Sequence, residues 1–159
     1  ETEGGTMRRI GIDPGISGAI VVLDFDVPVE WSLMPTMKIG SQNRVNAVAL
    51  AAMIRGYAQS YQPVVAFVEQ VGARPGQGVS SMFSFGHSAG LVAGVLGAFE
   101  IPTTYVTPQS WKKREGLSNT DKDAARSRAI QIWPSWRALD KKIAGQALAD
   151  AALIARSPM

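Results

Sequence analysis

The sequence predicts an α/β domain with a mixed central β-sheet flanked by helices. Three observations carry this. Short apolar runs rich in Val and Ile are separated by turn residues such as Asp13-Pro14-Gly15, the pattern of strands. Longer stretches place apolar residues at helical spacing. With 159 residues, 46% hydrophobic and 18% charged, the chain can fill one sizeable core and is short for two domains.

Taken in order, Arg8–Asp13 reads as a strand ending at Pro14-Gly15, Ser17–Leu23 as a second, and Val27–Leu33 as a third that alternates around Val29, Trp31 and Leu33. Residues 35–45 read as a polar connection. Asn46–Tyr61 reads as a helix capped by Asn46 and stopped by Pro63. The unbroken run Val64–Val68 predicts a strand buried on both faces, ending at Glu69. Gln70–Ser81, with Gly72, Pro75, Gly76 and Gly78, reads as a loop. Ser84–Phe99 reads as a helix whose Gly86, Gly90, Gly94 and Gly97 predict a face pressed against another backbone. Thr103–Val106 is a further strand, Pro108–Lys113 a short helix and 116–120 a loop. Thr120 or Asp121 then caps a helix running to Trp133, and Ala144–Ala155 forms the last helix. Residues 1–6, acidic and flexible in composition, read as a remnant of expression cloning ahead of a start at Met7. The domain is thereby assigned to 7–159.

Composition narrows the chemistry. The chain contains no Cys and a single His, His87, to which no role is assigned. This excludes disulfides and thiolate sites and argues against His-based zinc sites and Ser-His-Asp triads. A metal would have to be held by carboxylates, which favours a hard cation such as Mg²⁺ or Mn²⁺. The net charge of +3 suits a polyanionic partner. Neither a signal peptide nor a membrane span is expected.

Three acids stand out by position. Asp13 and Glu69 each finish an apolar strand, and Asp150 lies inside the apolar stretch Ala149-Asp150-Ala151-Ala152. Burying an unpaired charge is costly, so such acids need partners. They can cap loops or pair with Arg. If they converge, they can instead bind divalent ions, and two ions roughly 4 Å apart can activate water and stabilise the leaving oxygen in phosphodiester cleavage.

Several blocks in order resemble the RuvC-type Holliday-junction resolvases, particularly phage-encoded ones. They are Ile10-Gly11-Ile12-Asp13-Pro14-Gly15 with Ser17-Gly18-Ala19, Phe67-Val68-Glu69-Gln70-Val71, and Ser81-Met82-Phe83-Ser84-Phe85-Gly86 with Gly90. They continue as Pro108-Gln109-Ser110-Trp111-Lys112-Lys113, Asp121-Lys122-Asp123-Ala124 and Ala149-Asp150-Ala151-Ala152-Leu153-Ile154-Ala155. The resemblance spans nearly the whole chain from Met7. It implies an RNase H-like fold, a homodimer, and Mg²⁺-dependent paired nicking of four-way DNA junctions in bacterial or phage-infected cytoplasm, with Mn²⁺ a substitute. It assigns Asp13, Glu69 and Asp150 as metal ligands and catalytic residues, and brings Lys112 or Lys113, together with Lys122, to the scissile phosphate, with Lys112 and Lys122 the catalytic candidates. The family usually carries a fourth acid near position 147, where this chain has Ala147. Three acids suffice, or Asp140 substitutes, or the position marks a disabling substitution.

For DNA contacts, the cations Lys112, Lys113, Arg114, Lys122 and Arg126 and the loop residues Gln70, Ser80 and Ser81 are the candidates, with Arg128 open between DNA contact and a solvated helix face. Phe83 is a candidate for stacking on an unpaired base. Other readings stay open. Ile-Gly-Ile-Asp-x-Gly also opens actin-like and sugar-kinase ATPases, although a second such hairpin is missing here. A branched-DNA-binding protein without cleavage and an RNase H-like nuclease for hybrids or flaps are the remaining alternatives.

Overall fold

The computed structural model describes residues 7–117 and 121–157. The expected remnant at 1–6, the candidate cap Thr120 and residues 118–120 of the expected loop lie outside the described residues.

The amino-terminal strands form a meander. β1 (Arg8–Ile12) pairs antiparallel with β2 (Ala19–Asp24), and β2 pairs antiparallel with β3 (Val27–Leu33). The β2–β3 turn places Phe25 and Asp26 at φ 48° and 62°, the twisted two-residue geometry that hairpins favour. Residues 35–45, expected as a plain connection, form a second hairpin, β4 (Thr36–Ile39) with β5 (Gln42–Val45), turning at Gly40 with φ 62°. Met37 and Ile39 are exposed in it, so no buried alternation marks the hairpin in the sequence.

α1 (Ala47–Ala58) begins as expected, with the Asn46 side chain accepting from the Ala49 N–H. β6 (Val64–Glu69) lies parallel to β1, and α2 (Val79–Ala98) starts five residues earlier than the sequence reading. β7 (Thr103–Val106) pairs parallel with β6. α3 (Pro108–Arg114), α4 (Ala124–Ile132), a 3₁₀ turn at Arg137–Asp140 and α5 (Lys142–Ala155) complete the chain. α4 starts later than predicted because Asp121 caps a turn instead, its carboxylate accepting from the Asp123 N–H.

The result is a mixed five-stranded sheet of order β3-β2-β1-β6-β7, flanked by helices as predicted. Alternation splits the strand side chains between two cores. Ile10, Ile12, Ile20, Val22, Ala66 and Val68 meet α1 and α2 on one face. Val21, Leu23 and Phe67 meet Trp111, α4 and α5 on the other. α5 lies so close to the sheet that a Cβ on Gly11 would stand 1.9 Å from the Ala151 carbonyl oxygen. Only glycine permits that approach.

Within this chain the glycines of α2 press against no other backbone. A Cβ on Gly86, Gly90, Gly94 or Gly97 would meet nothing within 4 Å. Ser88, Val92 and Leu96 are the buried row, and the glycines fall on the opposite side of the helix. By length and composition α2 is also apolar enough to cross a membrane, because it is longer than the sequence reading made it.

Candidate active site

The sheet register delivers two of the three acids. Ile12 pairs with Val68 across the parallel β1–β6 ladder, so Asp13 and Glu69 follow as neighbours at the carboxyl ends of both strands. They share the side-chain parity of Gly11 and Phe67, and therefore point to the α5 face. α5, drawn down over Gly11, brings Asp150 to the same place. The Asp13 turn is itself tightly packed: a Cβ on Gly18 would stand 2.1 Å from the Asp13 carbonyl oxygen.

All three carboxyl groups sit above the usual carboxylate range. Burial raises Asp13, opposed by the Gly15 N–H, which donates to its Oδ1 at 3.3 Å, and by the Lys112 charge. Burial also raises Glu69; the Trp111 indole, donating to Oε2 at 2.7 Å, holds it back, the Asp13 charge adds to the rise, and Lys112 and Arg74 counter it. Asp150 is pushed up to about 7, first by burial and then by the charges of Asp13 and Glu69, against Lys112. Glu69 thus senses the Asp13 charge and Asp150 senses both, and Lys112 is the cation common to all three.

Among the described residues no three His, Asp or Glu side chains stand close enough to hold one ion as placed. The donor set is nonetheless all oxygen, partly buried and short of positive charge, which fits a hard divalent cation.

An open cleft of about 680 Å³ leads to Asp13 and Glu69, bounded by Gln70, Arg74, Gln77, Gln109 and Lys112. An adjoining pocket of about 240 Å³ joins Lys112, Lys122, Gln146 and Asp150. The Gln146 side chain donates to the Lys122 carbonyl, tying α5 to the segment before α4. Gln70, Lys112 and Lys122 therefore stand at the site. Ser81 lines a third cavity beside Asp13. Ser80 and Lys113 are exposed and line none of these cavities. Phe83 lies outside the cleft with its ring exposed, the Arg44 guanidinium 5.3 Å above it and His87 stacked at 6.1 Å.

Two proposed DNA contacts are committed to internal contacts instead. Arg114 donates to the Leu153 carbonyl at 2.6 Å and to Ser157 Oγ at 2.8 Å, and pairs with Glu115. Arg126 donates to the carbonyls of Leu139 and Asp140 at 2.7 and 3.2 Å. Arg128 joins Arg114 and Arg156 around the buried Glu115 carboxylate. These arginines bind the carboxyl-terminal helices together. Asp140 pairs with Arg137 at 2.9 Å; it ends the 3₁₀ turn before α5 and lines none of the three cavities.

Sequence reasoning missed Arg74, Gln77 and Gln109, and the hold of Trp111 on Glu69. Arg74 carried a usable signal, as the one cation in the loop after Glu69. The Trp111 bond spans 42 positions in sequence and has no local signature.

No family model matches the sequence, and no curated protein matches it. Among solved structures, RuvC from T. thermophilus in complex with Holliday junction substrate superposes with a TM-score of 0.59 at 19% identity, over 94% of this chain and 90% of that one. The chain has the RuvC fold. A second Thermus thermophilus RuvC structure gives a TM-score of 0.55 at 19% identity, over 94% and 91% of the two chains. The RNase H-like architecture expected from the motifs is thus the observed one, and at this identity the likeness to RuvC concerns the fold.

Proposed function

We propose that this protein is a structure-specific DNA endonuclease that resolves four-way junctions by paired, divalent-metal-dependent hydrolysis. The observation that carries the reading is the convergence of Asp13, Glu69 and Asp150 beside Lys112 at one end of a RuvC fold. In α/β sheets, ligands gather at the carboxyl ends of parallel strands.

Asp13, Glu69 and Asp150 would hold Mg²⁺, with Mn²⁺ as substitute. When bound, the metal supplies an activated water and charge stabilisation at the cleaved phosphate. The chain does the rest. Lys112 offsets negative charge at the site and holds the phosphate backbone, and Lys122 does so from the adjoining pocket. Trp111 fixes the Glu69 carboxylate through its indole N–H. Arg74 and Gln70 extend the contact along the cleft, and Phe83 offers a stacking surface. Lys113 and Ser80 are available to phosphates further out. Paired nicking requires two active sites, and the open glycine face of α2 is where a second copy would pack, since small residues let helices approach closely. The reading places the protein in bacterial or phage-infected cytoplasm.

A second reading has its own support. Ala147 stands where the resembled family carries an acid, and the three remaining acids stop short of chelating distance as placed. A protein that binds branched DNA without cutting it fits both facts. One experiment separates the two. A labelled four-way junction and a matched linear duplex are incubated with the protein in Mg²⁺, Mn²⁺ or chelator, alongside Asp13→Asn. Symmetric nicks in the junction alone, lost with chelator and with the variant, support the nuclease. Tight binding without nicks in either metal supports the binding protein.

A further inference from the structure

The third cavity, about 260 Å³, adjoins the main cleft, because Asp13 and Phe85 line both. A Cβ on Gly15 would lie 3.7 Å from the Phe85 ring and from Asp13 Oδ1, so the ring rests against the Asp13 turn. Four hydroxyls line the cavity: Ser17 from the β1–β2 turn, and Ser81, Ser84 and Ser88 from one face of α2.

Ser88 is the telling one. It is 1% exposed, and its Oγ meets no hydrogen-bond partner among the described residues. A serine inside a helix ordinarily bonds the carbonyl one turn back. A buried hydroxyl left without a partner is costly, so one facing a cavity marks a place where the partner comes from outside the chain. No Lys, Arg or His lines the cavity, and the Asp13 carboxylate forms part of its wall. That combination repels a phosphate. Hydroxyls donate and accept alike, which suits the mixed edge of a neutral heterocycle, and Phe85 presents a flat ring for it to stack on.

We propose that this cavity is a nucleobase subsite that takes up one base next to the cleaved phosphate, stacked on Phe85 and hydrogen-bonded by Ser84 and Ser88. The proposal rests on the nuclease reading for its position in the reaction, but binding of the base does not require cleavage. Extruding a base costs least where it is already unpaired, as at the centre of a branched junction.

The test is an abasic scan. Affinity is measured in chelator for a four-way junction and for a single strand, each carrying one abasic residue at successive positions, with the wild type, Ser88→Ala and the cavity-filling Ser84→Leu. The wild type should lose roughly tenfold in affinity at one position. Both variants should bind the intact DNA more weakly by about that factor and show no further loss at that position. Thermal melting of both variants confirms that they fold, and Ser84→Leu, at a half-buried site, guards against failure of the buried substitution. An affinity insensitive to abasic replacement at every position overturns the subsite. So does a position where a methylphosphonate, and not an abasic residue, weakens binding. A protein that cuts no junction yet shows the coupled abasic loss on the single strand leaves the subsite standing while the nuclease reading falls.

Discussion

Asp150 illustrates how a single side chain carries both the chemistry and its cost. Its carboxyl group is pushed up to about 7 by burial and by the charges of Asp13 and Glu69, against an unfolded value near 3.8. The folded protein therefore holds a proton between those values that the unfolded chain releases. The contribution of Asp150 to stability is greatest below the unfolded value, falls as pH rises toward 7, and levels off above it. In metal-free buffer the melting temperature should drop between pH 5 and pH 8, and Asp150→Asn should flatten that drop and stabilise the protein by on the order of 1–3 kcal/mol at pH 8. Calorimetry across that range checks it; a wild-type melting temperature that rises with pH would contradict the assignment. Trp111 supplies the second residue-scale expectation. Trp111→Phe keeps an aromatic but smaller ring at this fully buried site and removes the N–H that holds Glu69. Cleavage should fall about tenfold with KM little changed, at a stability cost of about 2–3 kcal/mol for the lost hydrogen bond and the void left in the core, read from steady-state kinetics and a denaturant titration. Asp13 and Glu69 were legible in the sequence because a carboxylate closing an apolar strand is conspicuous. The role of Trp111 was not, because a buried indole reads equally well as core until its distant partner is seen.

Elements were legible to the extent that burial writes a period into them. β1, β2, β3 and β6 each carry the pattern their neighbours demand, and α1 announces its start at Asn46. The β4–β5 hairpin has neither buried alternation nor helical spacing, and so passed as a connection. α2 was recognised as a helix with a close-packing glycine face, but composition does not say what that face meets, and only the packing of Ser88, Val92 and Leu96 shows that it turns away from the chain's own core. That open face yields the prediction at this scale. If two copies meet there, Gly90→Leu should convert a dimer to monomer in sedimentation experiments while leaving the unfolding free energy of the monomer within about 1 kcal/mol of wild type. An unchanged sedimentation profile would move the two-fold contact elsewhere.

Across the whole molecule, the carboxyl-terminal helices are fastened by charge as well as by packing. The Glu115 side chain is 3% exposed and faces Arg114, Arg128 and Arg156, with Arg156 at 2.8 Å. Arg156 also reaches Asp26, which pairs with Arg9 at 2.8 Å, so the network runs from α3 and α4 back to the first hairpin. Removing a buried partner leaves uncompensated charges, at about 3–5 kcal/mol. Glu115→Ala should therefore lower stability by that amount in urea titration without touching the cleft. The arginines of this network look like DNA contacts in the sequence because a run of cations gives no hint of a buried acid among them.

The three acids stand on β1, β6 and α5, all anchored in the core, whereas the cleft is edged by the 70–78 loop and the segment before α4. Amide exchange should accordingly sort the protein into two classes. The backbone around Gly11, Val68 and Ala151 should exchange only with global opening, and the edge of the cleft should exchange through local opening. If the protein cuts branched DNA as proposed, such a molecule accommodates irregular substrates at its margin while the geometry of its acids stays fixed. A substrate that fits poorly is rejected by the part that yields, before the part that does not is ever engaged.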